Sequence, residues 1–196
     1  MRFRPAPLVV ALIAIASLAG AALAAKSGAE KAEKKAQELA DRRSKTDSMA
    51  KELVATVAGQ SADAKRLSEK AYGWAAFDNT KVALGISGGG GHGVAVVGQD
   101  GARTYMKMGT VGVGFGLGAQ KYQVLFLFEN KEVFDAFVGK GWQGGAGATA
   151  AAGTEGANAA ATFHDGIAVF TMTEKGLMAN ADVSGTKYWK DDKLND

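Results

Sequence analysis

The chain has 196 residues, 27 of them glycine and none cysteine, and a formal charge of +3 at pH 7. That length suits one domain with a proper core. The lack of cysteine excludes disulfides, thiolate metal sites, thiol catalysis and an acylated lipoprotein anchor, and glycines without a three-residue period exclude a collagen-like rod.

Arg2 and Arg4 precede an unbroken apolar run from Leu8 to about Leu18, which passes into small residues ending Ala22-Leu23-Ala24. Basic start, apolar middle and A-x-A close are the order of a cleavable signal peptide. A spanning helix takes ~20 strongly apolar residues, whereas this run weakens into Ala and Gly and meets Lys26. The expectation is a signal over residues 1–24, cleaved near Ala24 or Ala25, and export, to the periplasm in a Gram-negative cell. Without Arg2 and Arg4 the remainder is close to neutral, which argues against a nucleic-acid partner.

Residues 25–70 read as a helical segment. Ala29 to Val57 has no Pro or Gly, and Met49, Ala50, Leu53, Val54 and Val57 recur at helical spacing. Ala32, Ala36, Leu39 and Ala40 make only a thin stripe among Lys and Glu, so the first half is expected to be solvated. Gly59 ends the helix and Ser61 caps a second one to about Lys70.

From 71 to 190 the period becomes two and glycines cluster. Strands are expected over 82–87, 93–98, 102–109, 111–119, 121–129, 142–152, 157–163, 166–173 and 176–185. Turns are expected at Asp100-Gly101, Asp165-Gly166 and Glu174-Lys175-Gly176. Asn130 caps a short helix over 131–138 with Val133, Phe134 and Phe137 on one face. Lys121 to Glu129 is apolar on both faces, the mark of a doubly covered central strand. In Val111 to Ala119 the valines, Phe115 and Leu117 face one way and Gly112, Gly114, Gly116 and Gly118 the other. A strand face without side chains admits a docked helix, an opposing sheet or a ligand directly onto the backbone.

Chemical motifs are weaker. Gly88, Gly90 and Gly93 satisfy GxGxxG, but the strand-like VAVVG follows where a dinucleotide site needs a helix. Gly85-Ile86-Ser87-Gly88-Gly89 fits the GxSxG nucleophile elbow, with Asp100, Asp135 and His164 downstream in hydrolase order. The elbow needs a strand-turn-helix in a parallel sheet, so a serine esterase using Ser87 is a remote alternative. His92 and His164 lack metal-ligand spacing, and Trp74, Trp142 and Trp189 read as core or rim packing. The run Lys31, Lys34, Lys35, Arg42, Arg43 and Lys45 is interleaved with acids, as on a solvated helix, with contact to anionic head groups as its functional reading.

Three stretches, Lys81 to Val97, Gly112 to Phe137 and Gly166 to Lys190, together resemble the SYLF lipid-binding family. They carry its glycine-rich hairpin, the Gly114, Gly116, Gly118, Gln120 strand, the apolar Val124 to Phe128, and the Lys175-Gly176-Leu177 turn. The resemblance implies binding of membrane lipids, phosphoinositides in eukaryotic members, without known catalysis or a cofactor, and bacterial members are often exported. Here the sequence departs in an alanine-rich stretch from Gly144 to Ala161, in Phe77-Asp78-Asn79 where a proline is common, and in showing no SH3 or FYVE module. These departures speak against specificity for phosphoinositides, lipids that bacteria seldom present, and an anionic phospholipid is the expected target.

The expected fold is α+β: N-terminal helices packed on a strongly bent antiparallel β-sheet or partial β-barrel. The expected function is non-catalytic binding of membrane lipid in the bacterial envelope, by peripheral contact. Head-group candidates are Lys34, Lys35, Arg42, Arg43, Lys81, Arg103, Lys107 and Lys121, and Gly112, Gly114, Gly116 and Gly118 admit an acyl chain or helix. The rival reading is a structural envelope protein that binds another protein.

Overall fold

The computed structural model describes residues 7–99, 101–143, 161–173, 176–179 and 185–196, with side chains placed except in 7–27, 83–87, 112–120 and 178–179. The chain divides into two compact units, Met1–Arg42 and Arg43–Asp196. Helix α1, Pro7–Gln60, contributes to both. Between residues 28 and 42 only Leu39 is even half-buried, as its thin apolar stripe implies.

In the second unit, α1 buries Ala50, Leu53 and Val57 along one stripe. Helix α2, Ala62–Lys70, begins at Ser61, whose Oγ accepts from Ala64 N–H at 3.1 Å. Strands β1, Gly73–Val97, and β2, Arg103–Phe128, then form one antiparallel ribbon from Gly73↔Phe128 to Val96↔Arg103, with a register shift between Leu84 and Ile86. Helix α3, Lys131–Lys140, follows, capped by Asn130 Oδ1 accepting from Val133 N–H at 3.0 Å. The remaining elements are β3 (Trp142–Gln143), β4 (Ile167–Thr173), β5 (Gly176–Ala179), β6 (Thr186–Lys190) and α4 (Asp192–Asn195). The sheet order is β3-β6-β2-β4-β5, with β1 along the other edge of β2.

The long ribbon folds over on itself. The first half of β2 pairs with β6 and the second half with β4. Across the fold, a Cβ built on Gly91 would overlap Asn79 Oδ1 and the Asp78 carbonyl, one on Gly93 would overlap the Ala76 carbonyl, and one on Gly89 would sit 2.6 Å from the Thr80 carbonyl. Alternate glycines in the second half of β1 thus let its backbone lie directly on the first half. Phe77, Phe126, Phe128, Phe137 and Tyr188 fill the space between, with ring centroids 4.7 Å apart for Phe77–Tyr188 and 4.8 Å for Phe128–Phe137. Val124 to Phe128 are all buried, so this strand is covered on both faces as its composition implies.

Helices packed with a bent antiparallel sheet make the fold α+β. Several boundaries differ from the sequence pattern. Expected strands 82–87 and 93–98 are one element that starts at Gly73, and 102–109, 111–119 and 121–129 are likewise one. The glycines bend these strands without ending them. Of 142–152 and 157–163, residues 144–160 lie outside the described residues, and 161–163 are not strand. Strand β6 and helix α4 lie where no element was expected. At the predicted Asp165-Gly166 turn both residues have positive φ (49° and 77°), and His164 and Ile167 exchange 2.9 Å backbone hydrogen bonds. This is the two-residue hairpin that such a dipeptide favours.

Candidate functional site

Alternation along β2 buries Met106, Met108 and Thr110 and turns Lys107, Gly109 and Val111 to the opposite face. There Lys107 stands between Trp189 of β6 and His92 of β1, and Gly109 between Lys187 and Gly90. The Trp189 ring lies across Gly109, since a Cβ on that glycine would be 3.2 Å from Cη2. Among the described residues, nothing lies within 4 Å of a Cβ built on Gly88, the neighbour of Val111. Val111 is 73% exposed and Trp189 38%, and Lys187 and His92 are exposed beside them. The result is an open strip of bare backbone carrying an indole, a valine and a cation.

Of the cations singled out from the sequence, some are tied into the fold. Arg43 donates to the carbonyls of Leu194 (2.8 Å) and Asp196 (2.9 Å), fastening α4, and its guanidinium stands 6.0 Å from the Tyr105 ring centroid. Arg103 Nε lies 3.6 Å from Asp47 Oδ2, which also accepts from the Tyr105 hydroxyl. Burial, then the Asp47 charge, raises the Tyr105 hydroxyl above its ordinary pKa. Lys107 Nζ sits 2.8 Å from Asp191 Oδ1, a fully buried carboxylate. Lys34, Lys35 and Arg42 are exposed on α1 in the first unit; Lys81 is half-buried on β1, and Lys121 is exposed on β2. Gly112, Gly114, Gly116 and Gly118 are in β2, Gly112 opposite Ser87 and Gly118 opposite Ala83 on β1, but the surroundings of their α-carbons lie outside the described residues.

The serine constellation is not assembled as an elbow. Ser87 lies within antiparallel β1 opposite Gly112, with no turn or helix after it. Asp135 is on α3, paired with Lys131, and exposed His164 is at the hairpin turn; Asp100 lies outside the described residues.

A separate polar group faces inward. Asn79, 2% exposed, is opposite Tyr122 on β2, and Tyr188 of β6 is fully buried. Burial raises the pKa of both tyrosines, and the Tyr122 charge adds to the rise at Tyr188.

Residues 109–196 match the model of the Ysc84 family, described as Las17-binding protein, actin regulator. The match makes residues 109–196 similar to a Ysc84, or SYLF, domain. Beta cell expansion factor A of Aeromonas veronii is 39% identical over 156 residues, which cover 80% of this chain and 60% of that protein. The chain therefore spans less than two thirds of the relative's length. SYLF domains are in general binding modules without catalysis. The matched segment contains Val111, placed from the sequence on the side-chain face of its strand, Trp189, read there as core or rim packing, and Lys187, which sequence reasoning passed over. The one signal for Lys187 was the alternation Thr186-Lys187-Tyr188-Trp189-Lys190, which puts Lys187 and Trp189 on one face.

Proposed function

We propose that this SYLF protein binds membrane lipid without catalysis, with anionic phospholipid as its target, as an exported, peripheral component of the bacterial envelope. The observation that carries the proposal is the open strip where Trp189 lies over Gly109 beside Val111 and Lys187. An indole has an apolar body and a polar N–H, and so settles at the level of lipid head groups. A valine beside it adds apolar area, and each lysine near an anionic surface contributes about 1 kcal/mol. Bare glycine backbone keeps the strip flat enough for lipid to reach it. Lys34, Lys35, Arg42 and Lys121 add attraction wherever they meet the same membrane, whereas Arg43, Arg103 and Lys107 chiefly hold the fold.

Sedimentation with phosphatidylcholine vesicles of rising phosphatidylglycerol content tests this. Binding is expected to grow with anionic lipid and to weaken as salt screens it. Trp189→Ala is expected to weaken binding about tenfold through lost interfacial burial, and Lys187→Ala to flatten the salt dependence. Absence of binding at low salt overturns the proposal. The family's description, which names a protein partner, favours a second reading in which the same strip holds another protein. That reading takes over if Trp189→Ala leaves vesicle binding untouched.

A further inference from the structure

We infer that the interior of the folded ribbon holds a site for the hydroxyl of an uncharged amphiphile, formed by Asn79, Tyr188 and Tyr122. The observation is a set of orphaned polar atoms. Among the described residues, neither amide atom of Asn79 nor the hydroxyl of Tyr188 has a hydrogen-bond partner, although Asn79 is 2% exposed and Tyr188 fully buried. Buried polar groups are nearly always paired, so groups left open need an occupant to explain them.

The three side chains come from different strands, β1, β2 and β6, of one sheet. Asn79 and Tyr122 are cross-strand partners on the inner face of β1 and β2. Gly91 abuts Asn79 and pairs with Met108, which in turn pairs with Tyr188 on β6. Tyr188 and Phe77 are in edge contact at 4.7 Å, so the apolar wall of the site is the aromatic cluster itself. The chemistry of the set is specific. Asn79 offers one acceptor and a two-proton donor, and each tyrosine hydroxyl both donates and accepts. A guest hydroxyl, which gives one proton and receives others, satisfies them together. None of the three carries charge at neutral pH: the amide does not titrate, and a tyrosine hydroxyl ordinarily keeps its proton to about pH 10. An ionised guest head would be desolvated there without a counter-ion. Lys81, the next residue on the same inner alternation, is half-buried and is the cation an anionic guest would need.

This site stands apart from the outer strip, and its test needs no membrane. The full chain is titrated with 1-octanol, octanoate and octylammonium by calorimetry at pH 7.5, without vesicles. Octanol is expected to bind at least tenfold more tightly than either ion. Tyr188→Phe keeps the ring in the cluster and deletes only the hydroxyl; it is expected to weaken octanol about tenfold, because a site built for a hydroxyl depends on its hydrogen bonds. Asn79→Ala is expected to do the same, and both variants should sediment with anionic vesicles as the parent does. Tighter binding of octanoate, lost in Lys81→Gln, overturns the inference. So does octanol affinity unchanged in both variants, or an internal water on these atoms that octanol does not displace.

Discussion

Two sets of glycines on one strand do opposite things. In the run Gly88 to Gly93, the inward members Gly89, Gly91 and Gly93 press against the carbonyls of Thr80, Asp78 and Ala76. The outward Gly88 and Gly90 meet nothing closer than the Met108 carbonyl, 3.6 Å from a Cβ on Gly90. The inner set lets the protein close on itself, and the outer set leaves backbone open. A strand glycine therefore has no single meaning, and parity decides which meaning applies.

The sharpest way to break this comparison is a pair of substitutions one residue apart. Gly91→Val forces a branched side chain into Asn79 and the Asp78 carbonyl, and because one obstacle is backbone, the ribbon must part. The expected loss is at least ~3 kcal/mol, the upper range for overpacking, read from urea unfolding. Gly90→Ser is expected to stay within ~0.5 kcal/mol of the parent, as at ordinary surface sites. Equal losses would mean that both glycines serve the turn of the strand and that the two faces do not differ.

Next in size is a contrast between cations of the outer face. Lys107 pairs with Asp191, which has no exposed surface, whereas Lys187 is exposed, two residues from Trp189 on the same face. Lys107→Met removes the ammonium that meets the buried Asp191 carboxylate at 2.8 Å. Such losses run to 3–5 kcal/mol for fully buried pairs, and because Lys107 keeps 37% of its side chain in water, about 2 kcal/mol is expected. Lys187→Ala should cost under ~0.5 kcal/mol in stability and act on vesicle binding alone. If Lys107→Met leaves the urea midpoint in place, the pair is not a structural one.

The outline of this arrangement was legible in the sequence, and its depth was not. Helix caps at Ser61 and Asn130, the Asp165-Gly166 hairpin and the doubly covered strand at Val124 to Phe128 follow from local chemistry, and the structure has them where the residues predict. The start of β1 at Gly73 was hidden because Asp78-Asn79-Thr80 reads as a polar break, while Asn79 is in fact buried by a fold-over that joins residues near 79 to residues near 91. Such a contact is long-range and leaves no periodicity behind. The same holds for the cations. Arg43, Arg103 and Lys107 look like free basic groups in a sequence, but their partners, the carbonyls of α4, Asp47 and Asp191, are brought to them only by the tertiary fold.

The smallest expected effect sharpens the comparison from the inner side. Tyr122 and Tyr188 have hydroxyls that burial holds above the ordinary tyrosine value of 10.0. In the unfolded chain both ionise near pH 10, while in the folded protein they hold their protons to higher pH. Above that pH the unfolded state binds fewer protons than the native state, so stability falls as pH rises. The slope approaches ~1.4 kcal/mol per pH unit for each such hydroxyl, and none of it appears below about pH 9.5. Unfolding in urea across pH 8 to 11 should show a flat region and then a decline. Tyr188→Phe should make that decline shallower, because one of the raised hydroxyls, which include that of Tyr105, is gone, and Gly90→Ser should leave it unchanged. A decline of full slope in Tyr188→Phe would mean that the Tyr188 hydroxyl reaches water, and the folded ribbon would then be open on its inner side as well.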